Sequence, residues 1–155
     1  MNMHKIIAVG GTFDYLHKGH KKLILTAFEK GEFVIIGITS DDFLKKINKP
    51  HDKDLIQRIS QIKNFLIENG LLERARIIIL EDYYGPIIKD PSIEALVVSK
   101  ETLPRAEEAN IIRKKLGMNE MKIYVVDYVL ANNGLPISST RIRNKEIDEE
   151  GNLIK

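Results

Sequence analysis

The chain has no cysteine and no tryptophan among its 155 residues. The absence of cysteine excludes disulfides, thiolate metal sites and a cysteine nucleophile. The longest early apolar run, Ile6–Val9, is too short for the core of a signal peptide or for a membrane span. The net charge is only +2, and no basic stripe interleaved with aromatic residues is visible. We therefore expect a soluble cytoplasmic protein that binds neither nucleic acid nor membranes.

What the chain does contain is typical of one globular domain, with 43% hydrophobic and 30% charged residues. Short apolar runs, each typical of a strand buried on both faces, occur at Ile6–Val9, Phe33–Ile38, Ile77–Leu80, Leu96–Val98 and Ile123–Val126. Segments of helical periodicity alternate with these runs. The pattern predicts a single α/β domain with a five-stranded parallel sheet, helices on both faces and right-handed crossovers. We place this domain at residues 1–147 and a solvated or frayed C-terminal tail at residues 148–155.

Glycines and caps set the expected ends of the helices. The first helix is expected to stop at Gly31, the next to close at Gly70 and a third to end at Gly117, each with the glycine just past the last turn. A short final helix is expected from Ser138. In open α/β sheets, ligands bind at the carboxyl ends of the strands, so the turns that follow the strands are the first places to look for function.

The turn after the first strand reads GGTFDYLHKGH, residues 10–20. It matches neither the dinucleotide fingerprint nor the P-loop. Gly10 and Gly11 allow a tight turn and the close approach of a ligand, and Thr12 offers a hydroxyl donor. The unpaired N–H groups at the start of the following helix attract anions. The turn therefore suggests a phosphate site, and Asp14 is interpreted as a turn or capping residue rather than a catalytic carboxylate.

Two histidines lie three residues apart at the end of this turn. His17 and His20 are expected on one side of the first helical turn, with Gly19 between them leaving room for a phosphate group. The pair could also be ordinary polar turn residues. A metal site is not predicted, because no third ligand of suitable spacing follows.

A second stretch, ISSTRIR at residues 137–143, follows Asn133–Pro136 near the end of the chain. The hydroxyls of Ser138, Ser139 and Thr140 lie beside another set of unpaired helix N–H groups. Arg143 follows Thr140 by three residues, on the same side of the helix, and can pair with phosphate oxygens. The alternative is a capped surface helix with two exposed arginines. Two phosphate-suited helix starts in one small domain make that alternative less attractive.

Together the HKGH and ISSTRIR segments resemble the nucleotidyltransferase superfamily defined by an HxGH turn and an ISSTxxR segment. The motifs lie at opposite ends of the chain, so the resemblance covers nearly its full length. Within the superfamily the chain is similar to the archaeal and eukaryotic type of phosphopantetheine adenylyltransferase. The supporting stretches are GGTFDYLHKGH and DYYGPIIKDPSIEALVVSKET, residues 82–102, together with the absence of the RGLR-like stretch of the bacterial enzymes. The resemblance implies a Rossmann-like nucleotidyltransferase fold.

The implied reaction is adenylyl transfer from ATP, with Mg²⁺, to 4′-phosphopantetheine, giving dephospho-coenzyme A and pyrophosphate. The attacking phosphate monoester has a second pKa of about 6, so it needs no general base. It needs alignment of two anions and neutralisation of the developing charge. By the resemblance, His17 and His20 donate to the triphosphate, and Thr12 holds the acceptor phosphate. The residues expected to grip the β- and γ-phosphates are Ser138, Ser139, Thr140 and Arg143.

A lysine after the second strand usually completes this set in the superfamily. Lys45, Lys46, Lys49 and Lys53 are all candidates, and we choose Lys45 because it best matches the LLK-like sequences of the family. For each of them the alternative is a solvated helix face. Arg58 is placed where the family often has an arginine that orients this loop.

Four residues farther along are candidates for ligand contact. Arg105 and Arg113 belong to the helix after the fourth strand and are candidate phosphate ligands or ordinary surface charges. Tyr83 and Tyr84, with Pro86, either line the groove for the uncharged pantetheine arm or form a packed loop corner.

Two other functions stay open at this point. One is transfer to a different acceptor, as in glycerol-3-phosphate cytidylyltransferase or nicotinamide mononucleotide adenylyltransferase. The other is a module that binds ATP without chemistry, although such a module would not need both motifs intact. The sequence does not predict the oligomeric state.

Overall fold

The computed structural model describes residues 3–131, 134–135 and 137–153. Its five strands are β1 (His4–Gly11), β2 (Gly31–Thr39), β3 (Ala75–Leu80), β4 (Ala95–Ser99) and β5 (Lys122–Val126). Neighbouring strands pair in parallel in the order β3-β2-β1-β4-β5. The predicted five-stranded parallel sheet is confirmed. The strand order reverses between β1 and β4, which is where such sheets open a crevice for ligands.

Five α-helices in the described residues connect the strands. They are α1 (Lys18–Lys30), α2 (Asp41–Lys46), α3 (Leu55–Glu68), α4 (Leu103–Lys115) and α5 (Ser139–Arg143). The short helix α2 was not predicted. Its signal was the cap Ser40, whose hydroxyl accepts a hydrogen bond from the Phe43 N–H, followed by two aspartates in the first turn. None of the helices in the described residues is long and apolar enough to cross a membrane.

The core has two layers because successive strand residues point to opposite faces of the sheet. Ile7 on one face packs in a cluster with Ile24 of α1 and Ile62 of α3. Ala8, its neighbour in the strand, packs in a second cluster with Ala106 of α4. Helices therefore cover both faces, as predicted.

Glycine positions confirm the three predicted helix ends, but only two of these glycines take the left-handed conformation. Gly70 and Gly117 have φ of +66° and +79°, which suits a glycine just past a helix. Gly31 is extended and begins β2 instead. A Cβ on it would lie 2.2 Å from Cγ2 of Ile7, so close packing rather than a left-handed turn requires glycine there.

The chain after α5 is buried at two points, whereas Glu149, Glu150, Asn152 and Leu153 are exposed, so the expectation of a solvated C-terminal tail stays a prediction. Ile147 is fully buried beside Ala131 and Ile137, and Gly151 is buried as well. The boundary at residues 147 and 148 stays a prediction. Asn133 and Pro136, expected to precede the last helix, lie outside the described residues.

Candidate active site

A cavity of about 370 Å³ opens at the carboxyl ends of the central strands. This size is within the usual range for a site that takes a small organic ligand. Gly10, Gly11 and Thr12, at the end of β1, form part of its lining, as predicted for a ligand site. Apolar side chains from the neighbouring strands, among them Ile78 and Leu80, line it too.

One wall of the cavity is aromatic and cationic. Tyr83 and Tyr84 both line it, and the Arg105 guanidinium carbon lies 3.3 Å from the centroid of the Tyr83 ring. The edge of the Phe43 ring packs on the same tyrosine with centroids 5.0 Å apart. The structure thus brings together three side chains that the sequence analysis had named separately. Stacking on a guanidinium gives the wall both an apolar surface and a positive charge.

The lysine in this cavity is Lys49. Of the four candidate lysines, all in the described part of the chain, Lys49 alone lines the cavity, whereas Lys45 lies exposed on α2. Lys49 is exposed to solvent, but partial burial still lowers the pKa of its ammonium group. The charge of Glu101 opposes this shift, and the charges of Arg143 and Arg105 add to it. The geometry therefore favours Lys49 over our choice of Lys45.

The two histidines stack at the start of α1, with ring centroids 3.7 Å apart. Nδ1 of His17 accepts hydrogen bonds from the N–H groups of Gly19 (3.0 Å) and His20 (3.3 Å), so a neutral His17 carries its proton on Nε2. Nδ1 of His20 donates to the Tyr15 carbonyl at 2.8 Å, so a neutral His20 has a lone pair on Nε2. The prediction that both lie on one side of the helix is confirmed. Their donor properties differ.

Burial keeps both histidines neutral. It lowers the pKa of His17 to about 4, with Lys21 adding to the effect. It also lowers the pKa of His20 well below its ordinary value, helped by the neighbouring His17. Neutral His17 can still donate to an anion through Nε2–H. His20 can do so only after it gains a proton.

Two expectations about this turn are corrected. The N–H groups at the start of α1 are not available to an anion: those of Gly19 and His20 bond to the His17 ring, and that of Lys18 donates to the Glu149 carbonyl at 3.4 Å. A Cβ on Gly19 would lie 2.9 Å from Cε1 of His17. The space at Gly19 therefore accommodates the histidine ring rather than a phosphate.

The segments from the two ends of the chain meet beside the cavity. Nη1 of Arg143 donates to the carboxylate of buried Asp14 at 2.8 Å, and Nη2 donates to the Thr140 hydroxyl at 3.1 Å. The Ser139 hydroxyl accepts a hydrogen bond from the N–H of Tyr15 at 3.4 Å. Ser138 caps α5 by accepting from the Arg141 N–H. The ISSTRIR segment is thus held against Asp14 and Tyr15 in the turn after β1.

Asp14 also fixes the loop that carries Lys49. Its carboxylate accepts hydrogen bonds from the N–H groups of Asp52 and Lys53. Burial raises the pKa of Asp14, but these bonds and Arg143 lower it on balance, so the group is ionised. The Tyr15 hydroxyl donates to Asp52, which raises the pKa of that tyrosine to about 12. This geometry agrees with Asp14 being a turn residue and not a catalytic carboxylate.

Arg58 orients the same loop, in agreement with the sequence analysis. Its side chain is fully buried, and Nη1 donates to the carbonyls of Thr12 (3.0 Å) and Thr39 (2.7 Å). Nε donates to the Lys53 carbonyl, and Nη2 pairs with Asp41 at 2.7 Å. One guanidinium therefore joins the ends of β1 and β2 to the loop that carries Lys49.

Arg113 is neither a phosphate ligand nor a surface charge, which corrects both readings. It is 1% exposed. In the described residues, every hydrogen bond found for its guanidinium goes to a backbone carbonyl. Arg113 lies near the opposite end of α4 from Arg105.

Comparison with known proteins was made with this geometry in hand. Residues 8–145 match the model of the cytidylyltransferase-like family. The chain belongs to this family. A phosphopantetheine adenylyltransferase from Methanothermobacter thermautotrophicus is 42% identical over 152 residues, covering 98% of this chain and 91% of that protein. Another from Methanopyrus kandleri is 41% identical over 143 residues, covering 92% and 90%.

A solved structure of a protein of unknown function from Archaeoglobus fulgidus has a TM-score of 0.71 and 33% identity, and the match covers 78% of this chain and 88% of that one. The expected Rossmann-like nucleotidyltransferase fold is therefore confirmed. So is the resemblance to the archaeal phosphopantetheine adenylyltransferases.

Sequence reasoning about this cytidylyltransferase-like chain named Lys49 only as one of four candidates and did not name Glu101, which also lines the cavity. A signal for Lys49 was present. It precedes Pro50, and the residue before a proline is disfavoured in a helix, so this lysine had to leave the face of α2. Glu101 had no comparable signal, since one carboxylate after a strand is ordinary.

Proposed function

We propose that this chain transfers the adenylyl group of ATP to 4′-phosphopantetheine, giving dephospho-coenzyme A and pyrophosphate. The observation that carries the proposal is the contact between the turn after β1 and the ISSTRIR segment through Asp14 and Arg143, beside a cavity of about 370 Å³. The relatives at about 40% identity over nearly the whole chain carry the name of this activity.

The chemistry needs positioning and charge neutralisation more than proton transfer. A phosphate oxygen of the acceptor attacks the α-phosphorus of ATP, a P–O bond forms, and the bond to pyrophosphate breaks. The acceptor phosphate is largely a dianion at neutral pH, so no residue has to deprotonate it. The residues have to hold two anions in line and stabilise charge on the α-phosphate and the leaving group.

We assign the acceptor phosphate to Thr12 and Lys49, which both line the cavity. His17 donates to the α-phosphate through Nε2–H while neutral, and His20 donates once protonated. The β- and γ-phosphates are assigned to Ser138, Ser139, Thr140 and Arg143. Some of these side chains now bond to each other, and phosphate oxygens would take over those hydrogen bonds.

The remaining lining suits the rest of the two substrates. Gly10 and Gly11 let ATP approach the backbone of β1, and Arg105 is assigned to ATP. The pantetheine arm is uncharged and has amide groups, which matches a wall of tyrosines and apolar side chains. We therefore assign it to Tyr83 and Tyr84.

Mg²⁺ is proposed to enter with ATP. Among the described residues no three His, Asp or Glu side chains cluster as a set of metal ligands. A divalent ion on the ATP phosphates keeps several of its waters and needs few protein ligands, so this site suits the ion as part of the substrate. The ion would supply charge neutralisation on the phosphates. A cytoplasmic location is likewise a proposal.

The test is pyrophosphate release by the purified protein with each pairing of ATP or CTP and an acceptor: 4′-phosphopantetheine, nicotinamide mononucleotide or glycerol 3-phosphate. We expect release that requires ATP and 4′-phosphopantetheine together. Release with another pair would retain the nucleotidyl transfer and reject this acceptor. ATP binding with no release from any pair would favour a module without chemistry.

A further inference from the structure

The segment between β3 and β4 forms the tyrosine-bearing side of the cavity. We call residues 83–93 the wall segment; Tyr83, Tyr84 and Ile87 of this segment line the cavity. Apart from a short 3₁₀ turn at Gly85–Ile88, the segment has no regular structure. Its backbone bonds are local, such as the donation from Asp90 N–H to the Pro86 carbonyl. Something outside the segment must therefore determine its shape.

The side chain of Arg113 supplies that constraint. Nη1 donates to the carbonyls of Ile87 (2.7 Å) and Asp90 (3.1 Å), and Nη2 donates to that of Ile93 (3.0 Å). Nε donates to the Asn119 carbonyl at 2.8 Å, in the loop before β5. Three carbonyls spread along the wall segment thus converge on one planar group.

Burial of the Arg113 side chain costs free energy, so it constrains the groups that bond to this side chain. Arg113 is 1% exposed, and burial lowers its pKa, with Asp90 opposing the shift. A buried guanidinium is tolerated only when its N–H groups are well bonded. Its donors have a fixed fork geometry, so the carbonyls that satisfy them are held in one arrangement.

The same helix contacts the wall segment at a second point. Arg105, in the first turns of α4, stacks on Tyr83 at 3.3 Å, whereas Arg113 lies two turns farther along. Helix α4 therefore braces the wall segment near both of its ends. One brace faces the cavity, and the other is buried behind it.

We propose that Arg113 is a positioning residue that fixes the wall segment for the pantetheine arm and thereby sets the affinity for the acceptor. This inference rests on the proposed function. Among the residues assigned to ATP, Arg105 contacts the wall segment at Tyr83. The phosphate-suited turns make no contact with Arg113 among the described residues, so the effect on the acceptor should exceed the effect on ATP.

The test is steady-state kinetics of Arg113→Lys with each substrate varied. Lysine keeps the charge but cannot reach several carbonyls in a fixed fork, so the wall segment loosens. We expect KM for 4′-phosphopantetheine to rise about tenfold, with KM for ATP and kcat within about twofold of the wild type. An unchanged acceptor KM, or equal rises in both KM values, would mean that the role is merely structural.

Asn110 provides a matched control on the same helix. It is buried, its amide donates to the Met121 carbonyl, and its oxygen accepts from the Met121 N–H. It therefore holds the loop before β5 without touching the wall segment. Asn110→Ala should lower Tm to a similar extent and leave the acceptor KM unchanged. A similar rise in that variant would show that any loss of stability produces the effect.

Hydrogen exchange of the unmodified protein provides a readout that needs no variant to fold. The amides of Ile87, Lys89, Asp90 and Ile93, which donate to backbone carbonyls within the segment, should exchange slowly without any ligand, because Arg113 holds the segment before substrate arrives. Rapid exchange there, slowed only by 4′-phosphopantetheine, would overturn the inference. Absence of adenylyl transfer by the wild type would reject the proposed function instead, and the exchange experiment would still decide whether the wall segment is braced.

Discussion

The free energy of unfolding should fall by about 2 kcal/mol between pH 7.5 and pH 5 because of His17 alone. This histidine is buried, and its Nδ1 accepts hydrogen bonds from two N–H groups of α1. A proton on that nitrogen would replace an acceptor with a donor that faces two other donors. The pKa is accordingly lowered from 6.5 to about 4, chiefly by burial.

The direction of the effect follows from which state binds the proton. Between about pH 4 and 6.5 the unfolded chain protonates this histidine and the folded chain does not, so stability rises with pH and is complete above 6.5. The full difference between the two pKa values corresponds to about 3 kcal/mol, of which about 2 kcal/mol is lost by pH 5. Asp14 and Asp41, whose pKa values are lowered from 3.8, lose their contribution only at more acid pH.

The assay is denaturant unfolding followed by circular dichroism at pH 7.5, 6.5, 5.5 and 5, on the wild type and on His17→Asn. Asparagine can cap α1 through its side-chain oxygen but does not titrate. The variant should lose about 2 kcal/mol less than the wild type over this range, and the dependence that comes from His20 should remain. His4→Asn, on β1, should keep the full dependence. Equal losses in the wild type and His17→Asn would refute the reasoning.

Three further predictions concern the site. Gly19→Ala should reduce kcat/KM for ATP by about tenfold, because the added Cβ would lie 2.9 Å from Cε1 of His17 and displace the ring. This loss is expected although alanine is the better helix former. Normal activity would place the His17 ring outside the ATP site. Lys49→Ala should reduce kcat/KM by about a hundredfold, because it removes a charge from the cavity lining. Lys45→Ala, which removes no charge from the lining, should reduce it by less than about twofold. A larger loss in Lys45→Ala than in Lys49→Ala would restore Lys45 as the phosphate ligand. ATP binding near pH 7 should be accompanied by uptake of a proton on His20, because its Nε2 has a lone pair until it is protonated. Calorimetry in two buffers of different ionisation enthalpy measures this uptake. Binding enthalpies that do not depend on the buffer would contradict the prediction.

The fold was predictable because its signals are local and redundant. Strands such as Gly31–Thr39 are buried on both faces and so appear as continuous apolar runs, and helices appear as periodic stretches between them. Helix α2 was missed because it has six residues, of which one, Leu44, is buried, and so presents no periodic face.

The site was only partly predictable, because several of its residues act through contacts that no local pattern records. Sequence patterns predict that an arginine lies at the surface. Arg58 and Arg113 are instead buried among backbone carbonyls that the tertiary structure brings together. The N–H groups of α1 were expected to be available, but a histidine, which is not among the usual capping residues, bonds to them. The choice among four lysines depended on where α2 ends, and helix ends are among the least certain features of a sequence prediction.

The most direct test of the account follows the α-phosphate itself. The protein is incubated with ATP labelled at the α-phosphorus, with and without 4′-phosphopantetheine, and the label is traced in protein, nucleotide and product. Direct attack predicts label in dephospho-coenzyme A in an amount equal to the pyrophosphate released, and no label on the protein in either incubation. Label bound to the protein without the acceptor, or no transfer when both substrates are present, would contradict it.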